Sequence, residues 1–375
     1  MIYLDNAATT EPCAESVKAC SEYFREFGNP SSLHEMGVSA ANAVAAARKS
    51  IATALKADVN EIYFTSCATE SNNTAIFGAA KKFGKRKKTI VTSAVEHPSV
   101  KEPLKELEKQ GFNVVRIMPK DGVFYAEDFV NAVDDDTFLV TCMYCNNELG
   151  TVLPVEQIFK AVKHKNKQIL THCDIVQGFM KYPIKVKTLG ADMLSMSAHK
   201  VNAFKGIGAL YINSSVHIPS LIFGGGQERG FRSGTESVPL IASFGAAVDK
   251  LAPTISRRFE QVGILADLLR NEIAALPDSR INSPENGSPY IVSFSLKGYR
   301  SEILLHKLEE REIYVSSGSA CSKGKKSSVL TAFGIPDEYA DSTLRVSLSA
   351  ENTREDILSL VSALKDAQKE LLKSN

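Results

Sequence analysis

The segment Asp192-Met-Leu-Ser-Met-Ser-Ala-His-Lys200 runs from an apolar stretch straight into a hydroxyl, an imidazole and an amine. Residues 192–197 read as a buried strand, which places Lys200 just past the strand's carboxyl end. A lysine there is partly desolvated, which lowers its pKa and leaves a neutral, nucleophilic amine. Alone, the hexapeptide Ser195–Lys200 fits a solvated surface lysine equally well, since most lysines are solvated. The segments on either side distinguish the two.

Upstream, short apolar runs at 61–65, 89–95, 114–118, 138–143 and 168–172 alternate with helical stretches. One such stretch is 39–57, where Val44, Ile51 and Leu55 fall at helical spacing. Strands alternating with helices predict an α/β fold with a mainly parallel sheet covered by helices, and in such sheets ligands sit outside the carboxyl ends of the strands. Thr69, His97, Asn146, Asp174, Gln177, Ser197, His199 and Lys200 all fall at or just after predicted strand ends. Each alone is more often structural; together they define a candidate site. At Ser66-Cys-Ala-Thr-Glu-Ser-Asn-Asn73 a strand leads into a helix, and hydroxyls beside free helix amides suit an anion such as phosphate. An ordinary N-cap by Thr69 or Ser66 is the structural alternative.

Downstream, Phe223-Gly-Gly-Gly-Gln-Glu-Arg-Gly230 and Arg232-Ser-Gly-Thr235 form a glycine-rich loop with two arginines, suited to close backbone approach or anion contact. The loop lacks the lysine and hydroxyl that close a P-loop, and it opens no dinucleotide fingerprint. From about residue 252 the texture shifts to a long helical stretch, a turn-rich segment at 283–289 and a strand at 290–296. An amphipathic helix opening near Asn352-Thr-Arg-Glu355 follows. We therefore expect a large domain over 14–251 and a smaller α+β domain formed by 1–13 and 252–375. Within the latter, Ser316-Ser-Gly-Ser-Ala-Cys321 precedes Lys323, Lys325 and Lys326, whose charge favours the Cys321 thiolate on a mobile loop. An incidental surface thiol is the competing reading. Cys142 and Cys145 lack a second pair at ligand spacing, so no metal site is expected.

Composition narrows the classes. The 375 residues carry 44 Lys plus Arg against 43 Asp plus Glu, so no net field attracts nucleic acid. The basic run Lys81–Lys88 reads as a solvated loop. The amino terminus carries no signal pattern, and no apolar run approaches the length of a membrane span. Seven cysteines without framework spacing fit free thiols in a reducing compartment, so a cytoplasmic protein is expected.

The ordered set of motifs resembles the cysteine desulfurases, within the class V aminotransferase group of fold type I pyridoxal-phosphate enzymes. It comprises YLDNAATT at 3–10, GNPSS at 28–32, ATESNN at 68–73, EHPSV at 96–100, NNELGT at 146–151 and the Asp174/Gln177 pair. It continues with SAHK at 197–200, GGGQERG with RSGT, SSGSAC at 316–321 and RVSL at 345–348. The resemblance implies that Lys200 holds pyridoxal 5'-phosphate covalently and shuttles the substrate Cα proton. It implies that Asp174 pairs with the pyridine nitrogen, that Gln177 touches the phenolic oxygen and that His97 stacks over the ring and moves protons. Ala68, Thr69, Ser197 and His199 would surround the phosphate, with Thr235 arriving from the partner subunit of a homodimer. Asn146, also beside the cofactor, and Arg345 would take the substrate carboxylate. Cys321 would accept sulfur from L-cysteine as a persulfide and pass it to an acceptor such as an iron-sulfur scaffold.

Three departures from the family pattern stand out: Cys67 in place of a glycine, Ala203-Phe204 in place of Gly-Pro, and Phe223 in place of a histidine. The first is expected to hinder backbone approach to the phosphate. The second is expected to force an alanine to positive φ, at about 1 kcal/mol. A transaminase or selenocysteine lyase using the same Lys200, Asp174 and Arg345, and a non-catalytic sulfur-assembly partner, are the competing readings.

Overall fold

The computed structural model describes residues 1–318 and 327–373. Cys321 and its lysine-rich neighbours lie outside the described residues. The strands are β1 (Ile2–Tyr3), β2 (Ile62–Thr65), β3 (Thr89–Ser93), β4 (Asn113–Ile117), β5 (Thr137–Met143), β6 (Leu170–Asp174) and β7 (Met193–Ser197). They continue as β8 (Gly208–Ile212), β9 (Ser279–Ile281), β10 (Ile291–Leu296), β11 (Ile313–Tyr314), β12 (Ser316–Ser317) and β13 (Thr343–Ser347).

A seven-stranded sheet has the order β2-β8-β7-β6-β5-β3-β4. The pairs from β7 through β4 are parallel, and β8 runs antiparallel to both its neighbours. Every residue of β3, β5, β6, β7 and β8 is buried, which is why these strands read as unbroken runs rather than alternating ones: helices cover both faces. The edge strand β4 keeps exposed positions at Asn113 and Arg116.

The predicted strands are present with ends shifted by up to two residues. β6 extends through Asp174, so that carboxylate is carried on the strand itself rather than on the following loop. The helix expected at 39–57 spans Glu35–Leu55. Lys81 and Lys82 belong to the helix Ala68–Phe83, so the basic run is only partly a loop. The stretch Val238–Ala274 is apolar and long enough to cross a membrane by composition. It is broken by a 3-10 turn at Ala252–Thr254, and its first half packs against the helices Ala14–Glu26 and Glu35–Leu55.

A second, antiparallel sheet has the order β12-β13-β10-β9. Phe294 and Leu344 on it share a core with Leu269 of the helix Ile255–Ala274 and Ile357 and Leu364 of the helix Arg354–Glu370. The latter helix opens on a capping box between Thr353 and Asp356. The first residues join this half: β1 pairs with β11, Leu4 lies in the same core, and Asp5 bridges Ser347. The DNAATT loop then crosses to the carboxyl edge of the large sheet.

Candidate active site

That carboxyl edge holds a pocket of about 210 Å³. Ala68, Thr69, His97, Asp174, Gln177, Ser197, His199 and Lys200 line it, together with Ala7, Cys67, Ser99, Met143 and Asn147. Residues from the ends of β2, β3, β5, β6 and β7 thus converge as the sheet geometry requires.

Lys200 donates to the carbonyl oxygens of Ala7 at 2.6 Å and Ala8 at 2.5 Å. Burial brings its pKa down to about 7, reinforced by the positive charges of Lys181 and Arg345. A large fraction of the amine is therefore neutral at neutral pH. The DNAATT loop is itself stitched to this turn: the Thr10 N–H and hydroxyl donate to the His199 carbonyl, and the Asn202 N–H donates to Thr10 Oγ1.

Most polar groups of the floor are already hydrogen-bonded. Asp174, buried, accepts from Asn72 Nδ2 at 2.8 Å and from the Val176 N–H at 3.0 Å. Gln177 donates from Nε2 to the Ala7 carbonyl at 2.9 Å, while its Oε1 accepts from Lys181 Nζ at 2.8 Å. An ammonium only donates, so Lys181 fixes which way the amide faces and leaves the second Nε2 hydrogen for the pocket. Burial lowers the Lys181 pKa to about 8. His97 shows one side to the pocket, and desolvation by the surrounding protein lowers its pKa. Beneath it, Glu96 is fully buried, accepts from Ser93 Oγ and the Met143 N–H, and is pushed up to about 8 by burial.

The rim differs. The helix Ala68–Phe83 begins at the pocket with no side-chain cap from Cys67. The Thr69 and Ser197 hydroxyls have no hydrogen-bond partner among the described residues. His199 meets Thr9 Oγ1 at 3.2 Å, and burial lowers its pKa to about 4, so the ring is neutral.

Three expected members stand apart. Asn146 is fully buried: its Nδ2 donates to the Val95 carbonyl, and its Oδ1 accepts the N–H groups of Glu148 and Leu149. It braces the loop, and its neighbour Asn147 is the one that faces the pocket. Arg345 donates to Asp5 Oδ1 at 2.7 Å and to the Asn147 carbonyl at 2.9 Å, while its buried Nε has no partner. Thr235 is exposed beside a different cavity, with Ser66, Glu228 and Arg232, and its own chain does not bring it to Lys200.

The two loop arginines expected to meet an anion are spent within the chain. Arg232 pairs with Glu70 at 2.7 Å, and Arg229 donates to the Asn60 and Ile62 carbonyls and covers the Tyr63 ring.

The class V aminotransferase model matches residues 2–360. The chain belongs to the class V aminotransferase family. It is 40% identical over 364 residues to the cysteine desulfurase IscS of Clostridium botulinum, covering 95% of this chain and 91% of that one. It is 41% identical over 361 residues to the IscS of Methanosarcina thermophila, covering 95% and 89%. Among solved structures, a NifS-like protein superposes with a TM-score of 0.94 at 37% identity, covering 99% of this chain and 100% of the other. The SspA protein in complex with cysteine superposes at 0.83 and 35% identity, over 94% and 100%.

This family uses pyridoxal phosphate, and the donor set of the pocket fits that group. A neutral amine suits its aldehyde, a buried carboxylate its ring nitrogen, and an uncapped helix start flanked by unpaired hydroxyls its phosphate. Two of the departures from the family pattern stay clear of left-handed backbone. Cys67 has φ −174°, extended backbone open to any residue. The close approach falls instead on Gly208, where a Cβ would come within 2.7 Å of the Cys67 carbonyl carbon. Ala203 avoids positive φ, because Asn202 takes the left-handed turn at φ 57°, a conformation that asparagine tolerates.

Proposed function

We propose that this class V enzyme is a pyridoxal-phosphate-dependent cysteine desulfurase that converts L-cysteine to L-alanine and passes the sulfur on. The single observation that carries the reading is the Lys200 amine, its pKa brought down to about 7 by burial, sharing one pocket with the buried Asp174 carboxylate. The end-to-end likeness to proteins named cysteine desulfurase supports it.

Bound there, pyridoxal phosphate supplies an electron sink that makes the substrate's Cα–H acidic and its sulfur electrophilic. Lys200 would hold the cofactor through its amine, and the same amine would be the base that takes the Cα proton. The buried Asp174 carboxylate, fixed by Asn72 and the Val176 N–H, would accept a hydrogen bond from the ring nitrogen. Gln177 presents an N–H to the phenolic oxygen. Ala68, Thr69, Ser197 and His199 orient the phosphate, and Thr235 completes that cradle from the second subunit of a homodimer. Arg345 takes the substrate carboxylate by exchanging its Asp5 contact, for which a guanidinium fork is well matched. Asn146 holds Asn147 in place.

Cys321 supplies the step that separates this chemistry from transamination. Its thiolate attacks the substrate sulfur: the substrate Cβ–S bond breaks, an S–S bond forms on Cys321, and the carbon takes up a proton to leave as alanine. The persulfide is then handed to an acceptor protein such as an iron-sulfur scaffold. In this reading residues 14–251 form the cofactor-binding domain, residues 1–13 and 252–375 form the small domain that carries Cys321, and the enzyme works in the cytoplasm.

The test is product analysis with L-cysteine. Equal amounts of alanine and sulfide in the presence of a reductant support the reading. Lys200→Ala should abolish the cofactor's visible absorbance, and Cys321→Ser should keep that absorbance while losing sulfide. A keto acid as product, or sulfide release unchanged in Cys321→Ser, would overturn it.

A further inference from the structure

Behind the pocket wall a chain of hydrogen bonds joins Asp174 to His97 through two side chains with no direct part in the chemistry above. Asn72 Nδ2 donates to Asp174 Oδ2 at 2.8 Å and to Ser99 Oγ at 2.8 Å. Ser99 Oγ lies 2.8 Å from His97 Nδ1, and the Ser99 backbone N–H donates to the same nitrogen at 3.1 Å. Asn72 and Ser99 are buried.

The direction of every proton follows from donor chemistry. A carboxylate only accepts, so the amide nitrogen of Asn72, not its oxygen, must face Asp174. The Asn72 Oδ1 is buried without a partner, which leaves Asp174 and Ser99 as the groups that set this orientation. Ser99 Oγ, already accepting from Asn72, turns its hydrogen toward Nδ1. A proton on Nδ1 would collide with the fixed Ser99 N–H, and with Nδ1 bare the hydroxyl hydrogen adds a second donor to it.

We propose that Asn72 and Ser99 are positioning residues that hold His97 as the neutral tautomer protonated on Nε2, so that it meets cofactor and substrate as a hydrogen donor rather than as a base. Other charges also act on the ring: Asp174 on β6 favours its protonation, while Lys200 beyond β7 and Lys101 on the helix Pro98–Lys109 oppose it. Those charges bear on whether His97 is charged; only the Asn72–Ser99 chain selects between its two neutral forms. The proposal deepens the desulfurase reading in giving His97 a role toward the reacting groups. The tautomer itself belongs to the chain and is read without cofactor, so the two fail separately.

The experiment is nitrogen NMR of the full chain with 15N-labelled histidine, with and without pyridoxal phosphate, as a function of pH. In the cofactor-free wild type, His97 should show a bare Nδ1 and a protonated Nε2. Ser99→Ala should give a mixture of tautomers and raise the His97 titration midpoint by about 0.5–1 pH unit, because neutral Nδ1 loses one donor. Asn72→Ala, which frees the hydroxyl to rotate, should move both readouts in the same direction by less. Ser99→Thr keeps the hydroxyl and should restore wild-type behaviour. A wild type protonated on Nδ1, or a folded Ser99→Ala protein with unchanged tautomer and midpoint, would overturn the proposal, as would Ser99→Thr behaving like Ser99→Ala.

Discussion

The floor and the rim of the pocket are built on opposite plans. On the floor, the polar atoms of Asp174, Gln177, Lys181, Asn72, Ser99 and His97 that make contacts are tied to one another or to backbone before anything binds. On the rim, Thr69, Ser197 and the first amides of the helix Ala68–Phe83 are left without side-chain partners. A wired floor fixes direction and protonation, at the cost of allowing few alternative ligands. An open rim offers donors whose hydrogen bonds are completed only by an anion. Floor changes should therefore damage turnover, and rim changes should damage affinity.

The largest expected effect sharpens this contrast directly. Asp174→Asn removes the carboxylate that accepts from the ring nitrogen, and turnover should fall by about two to three orders of magnitude while cofactor still binds. Steady-state rates and a binding titration on the same preparation check it. Thr69→Ala, on the rim, should instead weaken cofactor binding by about ten- to a hundredfold with little loss of turnover at saturation, since a hydrogen bond to a charged group is worth about 1.5–3 kcal/mol. Equal loss in both parameters for both variants would break the distinction.

A third effect belongs to Lys200. Only the neutral amine captures the aldehyde, and burial sets its pKa near 7. Capture of cofactor by the apoenzyme, followed by absorbance in stopped flow, should be level above that pH and fall about tenfold for each pH unit below it. The smallest effect concerns Glu96. Its folded-state pKa of about 8 lies above that of an unfolded carboxyl, so the stability it contributes is full below about pH 4.5 and is lost as pH rises through 8. Glu96→Gln cannot ionise, and thermal melts should show a profile over that range flatter by a few degrees than the wild type's.

Much of this was legible in the sequence because strand ends announce themselves. The apolar runs before Thr69, His97, Asp174 and Lys200 place those residues on one edge without any knowledge of sheet order. Other parts were hidden for physical reasons. The Ala7 and Ala8 carbonyls that hold Lys200 carry no residue signature, since every peptide offers a carbonyl. Asn72 and Ser99 lie inside recognisable motifs, yet their contact joins residues 27 positions apart in the chain and exists only once β2 and β3 have taken their places in the sheet. Lys181, four residues after Gln177, had a readable signal in that spacing, but a buried lysine is rare enough that composition argues against it. Asn146 was placed in the right loop and given a ligand that the structure spends on backbone. The glycine-rich loop advertised two arginines as anion ligands, and burial of Glu70 and the β2 end claimed them first.

The central claim is sulfur transfer to this chain's own cysteine. Mass spectrometry of the holoenzyme after a single turnover with L-cysteine, without reductant, tests it most directly. The expected result is a gain of one sulfur atom localised to the peptide containing Cys321, in step with alanine formed, and its absence in Cys321→Ser. Alanine produced in full while Cys321 remains unmodified would contradict it.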